Sequence, residues 1–211
     1  MFVAVAGNIG AGKSSLTRIL AEHFALSPVY EAVDENPYLQ DFYRDMPRYA
    51  FHSQMFFLAK RLEQHVSQVN PGNRVIQDRT LFEDANIFAR NLFEEGVMDE
   101  RDFGVYMAMY TAMREALRPP DLLIYLRASL PTLRRHIALR GRAFEADISD
   151  DYLNRLGSLY ERWFAAYDLS PKVLLDADSF DFVNDEGAHA HVVNGLTSWL
   201  TLPILSPQQT I

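Results

Sequence analysis

The sequence predicts a three-layer α/β fold, a five-stranded and mainly parallel sheet with helices on both faces. Three observations predict it. First, Gly7-Asn8-Ile9-Gly10-Ala11-Gly12-Lys13-Ser14-Ser15 matches GxxxxGK[ST], between the apolar run Phe2 to Ala6 and a stretch where Leu16, Ile19, Leu20 and Phe24 recur at helical spacing. Second, short apolar runs alternate with helical periods along the rest of the chain. Third, Leu122 to Leu126 is apolar without alternation, as in a strand buried on both faces. With 211 residues and 48% hydrophobic content, the chain is expected to form one well-cored domain over residues 1–211.

The first element sets the ligand class. Its glycines let backbone N–H groups turn toward phosphate oxygens, and the helix that follows adds its positive N-terminal end. Lys13 is spaced to reach the outer phosphates and Ser14 to ligate Mg²⁺. A nucleoside triphosphate is therefore the expected ligand of Gly7 to Ser15. Pro28-Val29-Tyr30 reads as a second short strand ending at Glu31. In open parallel sheets ligands bind beyond the carboxyl ends of strands, which brings Glu31 near the phosphate loop. Its carboxylate is there either a general base for an acceptor hydroxyl or a solvated loop residue. From Tyr49 to about Val69 a helical period places Phe51, Met55, Leu58, Leu62 and Val66 on one face, the expected core side. Gln54 and Arg61, seven apart, share a neighbouring stripe that faces either one ligand or solvent.

Pro71-Gly72-Asn73 breaks the chain before Arg74 to Gln77, a third strand ending in Asp78-Arg79-Thr80. An acid at a strand end beside the phosphate loop suits Mg²⁺, and the neighbouring Arg79 suits developing phosphoryl charge. Thr80 is the expected cap of a helix that carries Asp84 and Phe88. Asp99 to Arg118 reads as a helix with Phe103, Met107, Tyr110, Met113 and Leu117 on one side and Met109 more exposed, for core packing and, second, a helix-to-helix dimer contact. Pro119-Pro120 ends it, and Asp121 to Leu126 is the fourth strand. The next helix leads into Arg134, Arg135, Arg140 and Arg142 around Gly141. That cluster is a lid over transferring phosphates or a basic helix end favoured by the dipole, and the intact phosphate loop favours the lid. Asp150 to Tyr167 is helical, Val173 to Leu175 a fifth strand, Ala188 to Leu200 a closing helix, and Pro203 to Ile211 a frayed tail.

Composition narrows the function classes. A net charge of −8 argues against a nucleic-acid surface, and Lys occurs only at 13, 60 and 172. No apolar run approaches the ~20 residues that cross a bilayer. The chain has no cysteine, which excludes disulfides and thiolate metal sites. Nothing at the N-terminus has the pattern of a leader, and a cytoplasmic location is expected. A guanine-nucleotide switch would carry NKxD and DxxG, and neither occurs. A nucleoside monophosphate kinase would need several arginines for its acceptor's phosphate, where the candidate acceptor pocket offers mainly Arg61.

Taken together, four segments resemble the deoxyribonucleoside kinases, and within them the bacterial deoxyadenosine/deoxycytidine kinase branch. They are Gly7 to Ser15, Glu31 to Leu39 with Phe42-Tyr43, Gln77 to Asp84, and Arg140-Gly141-Arg142 with Glu145. The resemblance covers nearly the whole chain. It implies a P-loop kinase fold with an Arg-rich lid and, with ATP and Mg²⁺, phosphorylation of the 5′-hydroxyl of a deoxyribonucleoside by a homodimer. Deoxyadenosine is the first expectation, with deoxycytidine or deoxyguanosine next. By resemblance Glu31 is the general base, Arg79 steadies it and the transferred phosphoryl group, and Asp78 is the metal-associated acid. Tyr43 and Glu145 match positions holding the sugar 3′-hydroxyl. Gln54, Arg61 and Asp84 match the polar trio around the base, with Phe88 packing on it. Arg140 and Arg142 match lid arginines, and the loop at Phe180-Asp181-Phe182 resembles the segment that cups the adenine of ATP. Ala32 and Asp78 stand where many animal members have Pro and Glu. His136 stands where relatives usually show Arg, which leaves Arg135 to substitute or one phosphate contact fewer.

Overall fold

In the computed structural model, residues 1–145 and 147–201 are described, and the tail expected at 203–211 lies outside them. Strand β1 (Phe2–Gly7) is fully buried and central, as a run of apolar residues without alternation requires. It pairs in parallel with β3 (Val75–Asp78) on one side and β4 (Leu122–Arg127) on the other. β2 (Ser27–Val29) and β5 (Lys172–Asp176) form the edges, giving the order β2-β3-β1-β4-β5. Every pairing is parallel. Register brings the chain exits together: Val29 lies opposite Gln77 and Val5 opposite Asp78, so β2, β3 and β1 all release their chains at the carboxyl end of the sheet.

Helices cover both faces of the sheet. Helix α1 (Lys13–Phe24) packs on β1 and β3, with α9 (Glu186–Thr201) against it. α2 (Leu39–Arg44) leads into α3 (Met46–Gln64), which Asp45 caps by accepting from Arg48 N–H. A π-helical turn over His65–Val69 prolongs α3, and there the His65 ring lies edge-on to Phe2. α4 (Leu81–Glu83) and α5 (Arg90–Glu94) are joined by a second π-helical turn, Asp84–Ala89, into one rod. α6 (Glu100–Arg114), α7 (Leu130–Arg140) and α8 (Asp150–Ala166) complete the helices. Among the described residues no helix is long and apolar enough to cross a membrane.

Three expectations are corrected. β2 stops at Val29, and Tyr30 leaves the sheet as an exposed residue. On α3 the buried stripe is Ala50, Ser53, Gln54, Leu58 and Arg61, while Val66 is 53% exposed. The face turned to the interior borders a polar cavity, so the hydropathy pattern pointed about one residue off. α6 ends at Arg114, and Leu117 is buried in the turn that follows. Thr80 caps α4 as expected: its N–H donates to Glu83 Oε1 at 3.0 Å and its carbonyl accepts from Glu83 N–H at 3.1 Å.

Candidate active site

The phosphate loop leaves β1 through Gly7, where a Cβ would sit 2.6 Å from the Leu126 carbonyl oxygen and where φ is +152°. Gly10 faces α7 as closely, since a Cβ there would lie 2.8 Å from the Leu133 carbonyl. Side chains then fix the loop. Asn8 Nδ2 donates to the Leu153 carbonyl of α8 at 2.9 Å, and Asn8 Oδ1 accepts from Ile9 N–H at 2.8 Å. His136 of α7 donates from Nδ1 to the Gly10 carbonyl at 2.8 Å, because a carbonyl oxygen only accepts. Lys13 Nζ donates to the Asn8 carbonyl at 2.9 Å. Burial lowers the Lys13 ammonium to about 8, helped by Arg79 and resisted by Asp78, Glu31 and Glu83. Ser14 Oγ donates to Asp78 Oδ2 at 2.5 Å, and Asp78 Oδ1 is buried with no partner.

Beyond the loop lies a cavity of about 330 Å³, lined by residues from the turn after β2, α2, α3, the turn after β3 and the lid. Glu31 enters it from the β2 end, with Arg61 Nη2 donating to its Oε1 at 2.8 Å and Arg79 Nη1 3.7 Å from the same oxygen. Burial pushes its carboxyl up, but Arg79, Arg61 and Lys13 outweigh it and hold the group at about 2. Arg79 adopts φ +65°, a left-handed backbone rare for a branchless long side chain, and its guanidinium covers the Phe88 ring at 4.2 Å. Such local strain persists where the surroundings over-determine it, as they do at functional sites. Here Arg79 N–H donates to Val5 and its Nη2 to the Gly7 carbonyl.

Arg61, expected beside the base, does not line the cavity: it lies behind the inner end, 2% exposed, with its donors used internally, Nε to Asp84 Oδ2, Nη1 to the Arg79 carbonyl and Nη2 to Glu31. Asp84 and Phe88 stand on the π-helical turn, one turn apart, a local geometry frequent at functional sites. Burial pushes the Asp84 carboxyl up, against the pull of Arg61. Gln54 Oε1 is buried without a partner. At the outer end Tyr43 stacks on Phe144 at 5.9 Å. Glu145 is buried and accepts from two arginines, Arg140 at 2.6 and 2.9 Å and Arg142 at 3.5 Å.

Of the four arginines around Gly141, only Arg140 and Arg142 line the cavity. Arg134 is a strap to Asp150 and the Ile148 carbonyl. Arg135 is exposed, its charge beside Asp178 and Asp181, while His136 is the residue that reaches the phosphate loop. Asp181 and Phe182 do not line the main cavity. Asp181 is engaged by Asn184, and Phe182 packs close to Gly12. Sequence reasoning missed Phe57 and Tyr152, which line the cavity, and Glu83 and Tyr160, which lie behind it. Only Phe57 carried a signal, lying on the Gln54 and Arg61 side of α3.

A family model described as deoxynucleoside kinase matches residues 3–201. The deoxyadenosine/deoxycytidine kinase of Bacillus subtilis is 35% identical over 200 residues, covering 93% of this chain and 91% of its own. The deoxyadenosine kinase of Lactobacillus acidophilus is 40% identical over 200 residues, covering 90% and 92%. Among solved structures, deoxyadenosine kinase from M. mycoides with bound dCTP superposes with a TM-score of 0.81 at 30% identity, over 94% of this chain and all of that one.

Proposed function

Because the chain belongs to the deoxynucleoside kinase family, we propose that it transfers the γ-phosphoryl group of ATP to the 5′-hydroxyl of a deoxyribonucleoside, with deoxyadenosine as the preferred acceptor. The hydroxyl oxygen forms the new P–O bond, the bond to ADP breaks, and the hydroxyl proton passes to Glu31. Phosphoryl transfer asks little covalent chemistry of the protein, so catalysis is positioning and charge stabilisation. Lys13 and the loop N–H groups hold the β and γ phosphates, Arg79 bridges Glu31 and the transferring group, and Arg140 and Arg142 close over it. Tyr43 and Glu145 take the sugar 3′-hydroxyl. Asp181 and Phe182, beside Gly12, border the adenine of ATP.

The residues fit a Mg²⁺ ion shared with phosphate. The unpartnered Asp78 Oδ1 and the neighbouring Ser14 hydroxyl are hard oxygen donors, and no cluster of three acids or imidazoles forms a dedicated cage among the described residues. Such an ion neutralises charge on the phosphate oxygens. The exposed Val105 and Met109 on α6 support a homodimer through that helix, and a core shared from Phe2 to Leu200 supports a single kinase domain.

The preference among bases rests on one observation. Arg61 spends its donors on Asp84, Glu31 and the Arg79 carbonyl, so it does not turn them toward the ligand. Asp84 lines the cavity as an acceptor, beside the unpartnered Gln54 carbonyl oxygen. Acceptors there favour a base edge that presents an exocyclic amino group where guanine and thymine present a carbonyl, as adenine and cytosine do. The expected order is deoxyadenosine, deoxycytidine, deoxyguanosine, thymidine. Competition among the four at equal concentration, read by product masses, tests it, and a preference for thymidine overturns the role given to Asp84.

A further inference from the structure

Glu83 is the least expected charge in the molecule. It is fully buried, at 0% exposure, and it lies behind the catalytic cavity rather than in it. Three donors from three elements converge on its carboxylate. Thr80 N–H of the turn that carries Arg79 reaches Oε1 at 3.0 Å. Tyr160 O–H of α8 and Gly7 N–H of the phosphate loop reach Oε2 at 2.8 and 3.4 Å. Tyr160 in turn stacks on Tyr125 of β4 at 5.7 Å and stands edge-on to Phe88, the ring beneath the Arg79 guanidinium. Helix α8 also holds the loop through Asn8. Resting on the kinase reading, we propose that Glu83 is a positioning residue for phosphoryl transfer: its carboxylate locks the first glycine of the phosphate loop, the Arg79 turn and α8 into one rigid frame.

A simple packing role does not account for this donor set. A helix cap needs only the Thr80 contact, and an apolar or amide side chain of the same shape would fill the space. The chemistry needs an acceptor on both oxygens. Glutamine keeps the shape but presents an amide nitrogen to one side, and a backbone N–H cannot reverse its role to meet it. Glu83→Gln therefore leaves either Thr80 N–H or Gly7 N–H facing a donor, and the frame loosens without a cavity. The charges that face Glu83 are Arg79 from the turn and Lys13 from α1, with the Tyr160 hydroxyl from α8. Burial pushes its carboxyl up to about 7, against those two cations. Glu31, at about 2, cannot supply a limb near neutrality.

The test compares wild type, Glu83→Gln and Tyr160→Phe. Glu83→Gln is expected to lower kcat about tenfold, the loss of one hydrogen bond to a charged group at the reacting frame, with deoxyadenosine Kd within about twofold. Its kcat/KM profile loses an acid limb near pH 7 that wild type shows. Tyr160→Phe, which removes one donor and leaves the two backbone contacts, is expected to lower kcat about threefold. Hydrogen exchange of ligand-free protein gives a readout that needs no turnover: amides of residues 7–13 and 79–80 exchange faster in Glu83→Gln. Inactive wild type would sink the kinase reading while leaving the exchange result to judge the frame. Wild-type kcat and unchanged exchange in Glu83→Gln would overturn the proposal. If that variant fails to fold, unchanged kinetics and exchange in Tyr160→Phe overturn it alone.

Discussion

Glu31 meets two opposing demands in one carboxylate. Flanked by Arg61, Arg79 and Lys13, it is a weak base in the ligand-free protein, yet its oxygen is fixed where a hydroxyl proton must go. A loose transition state moves that proton late, so orientation matters more than resting basicity. Glu31→Gln keeps an acceptor for Arg61 Nη2 and removes the proton sink. We expect kcat to fall ~10²-fold or more while nucleoside affinity persists. Stopped-turnover assays at saturating substrate check this, and an unchanged kcat removes Glu31 from the role of base. Glu31, Asp78 and Arg79 were legible because they stand at or just beyond strand ends beside a recognisable loop. Glu83 was not, since a glutamate three residues after a threonine reads as a cap, and nothing in the chain announces that Gly7 and Tyr160 arrive at its other oxygen.

At the scale of elements, the two arginines proposed to close over the phosphates are held by the residue proposed to meet the sugar. Glu145 accepts both Arg140 and Arg142, and α7 is pinned to the phosphate loop by His136. In the proposed role, phosphate draws these arginines from a carboxylate partner, an exchange of ion pairs more than a capture of free cations. Replacing Arg140 and Arg142 together by Ala should lower kcat by about 10² while nucleoside Kd changes far less, because their charge is used on the transferring group. Equilibrium titration beside steady-state kinetics separates the two, and a loss confined to affinity would reassign them to nucleoside binding. The residue pattern located this arginine cluster and the family resemblance singled out Arg140 and Arg142 inside it, the two that line the cavity; the pattern alone could not, because Arg134 and Arg140 look alike in the chain and differ by whether Asp150 or Glu145 comes to meet them. The same limit misjudged α3, where helical period identified the helix but a polar cavity, not an apolar core, set its inner face.

For the molecule as a whole, the strands could be counted from sequence while their order could not, since no local pattern says that β3 rather than β2 lies beside β1. The burial of Glu83 follows from that order, and it reaches beyond catalysis into thermodynamic linkage. Its carboxyl sits at about 7 in the fold against 4.5 in the unfolded chain, so the fold holds the extra proton in that window and stability falls as pH rises through it. His65, buried against Phe2, has the opposite sign. Its ring sits at about 4 against 6.5, so the unfolded chain binds the extra proton and stability falls as pH drops through that window. Between pH 4.5 and 6.5 the two slopes oppose. Glu83→Gln removes one of them, by at most about 1.4 kcal/mol per pH unit, and the Tm of that variant should climb more steeply with pH than wild type across this range. Parallel Tm curves from calorimetry at half-unit steps would show that Glu83 does not titrate there. A carboxylate recruited to hold a catalytic frame is thus also a buffer of the protein's acid tolerance.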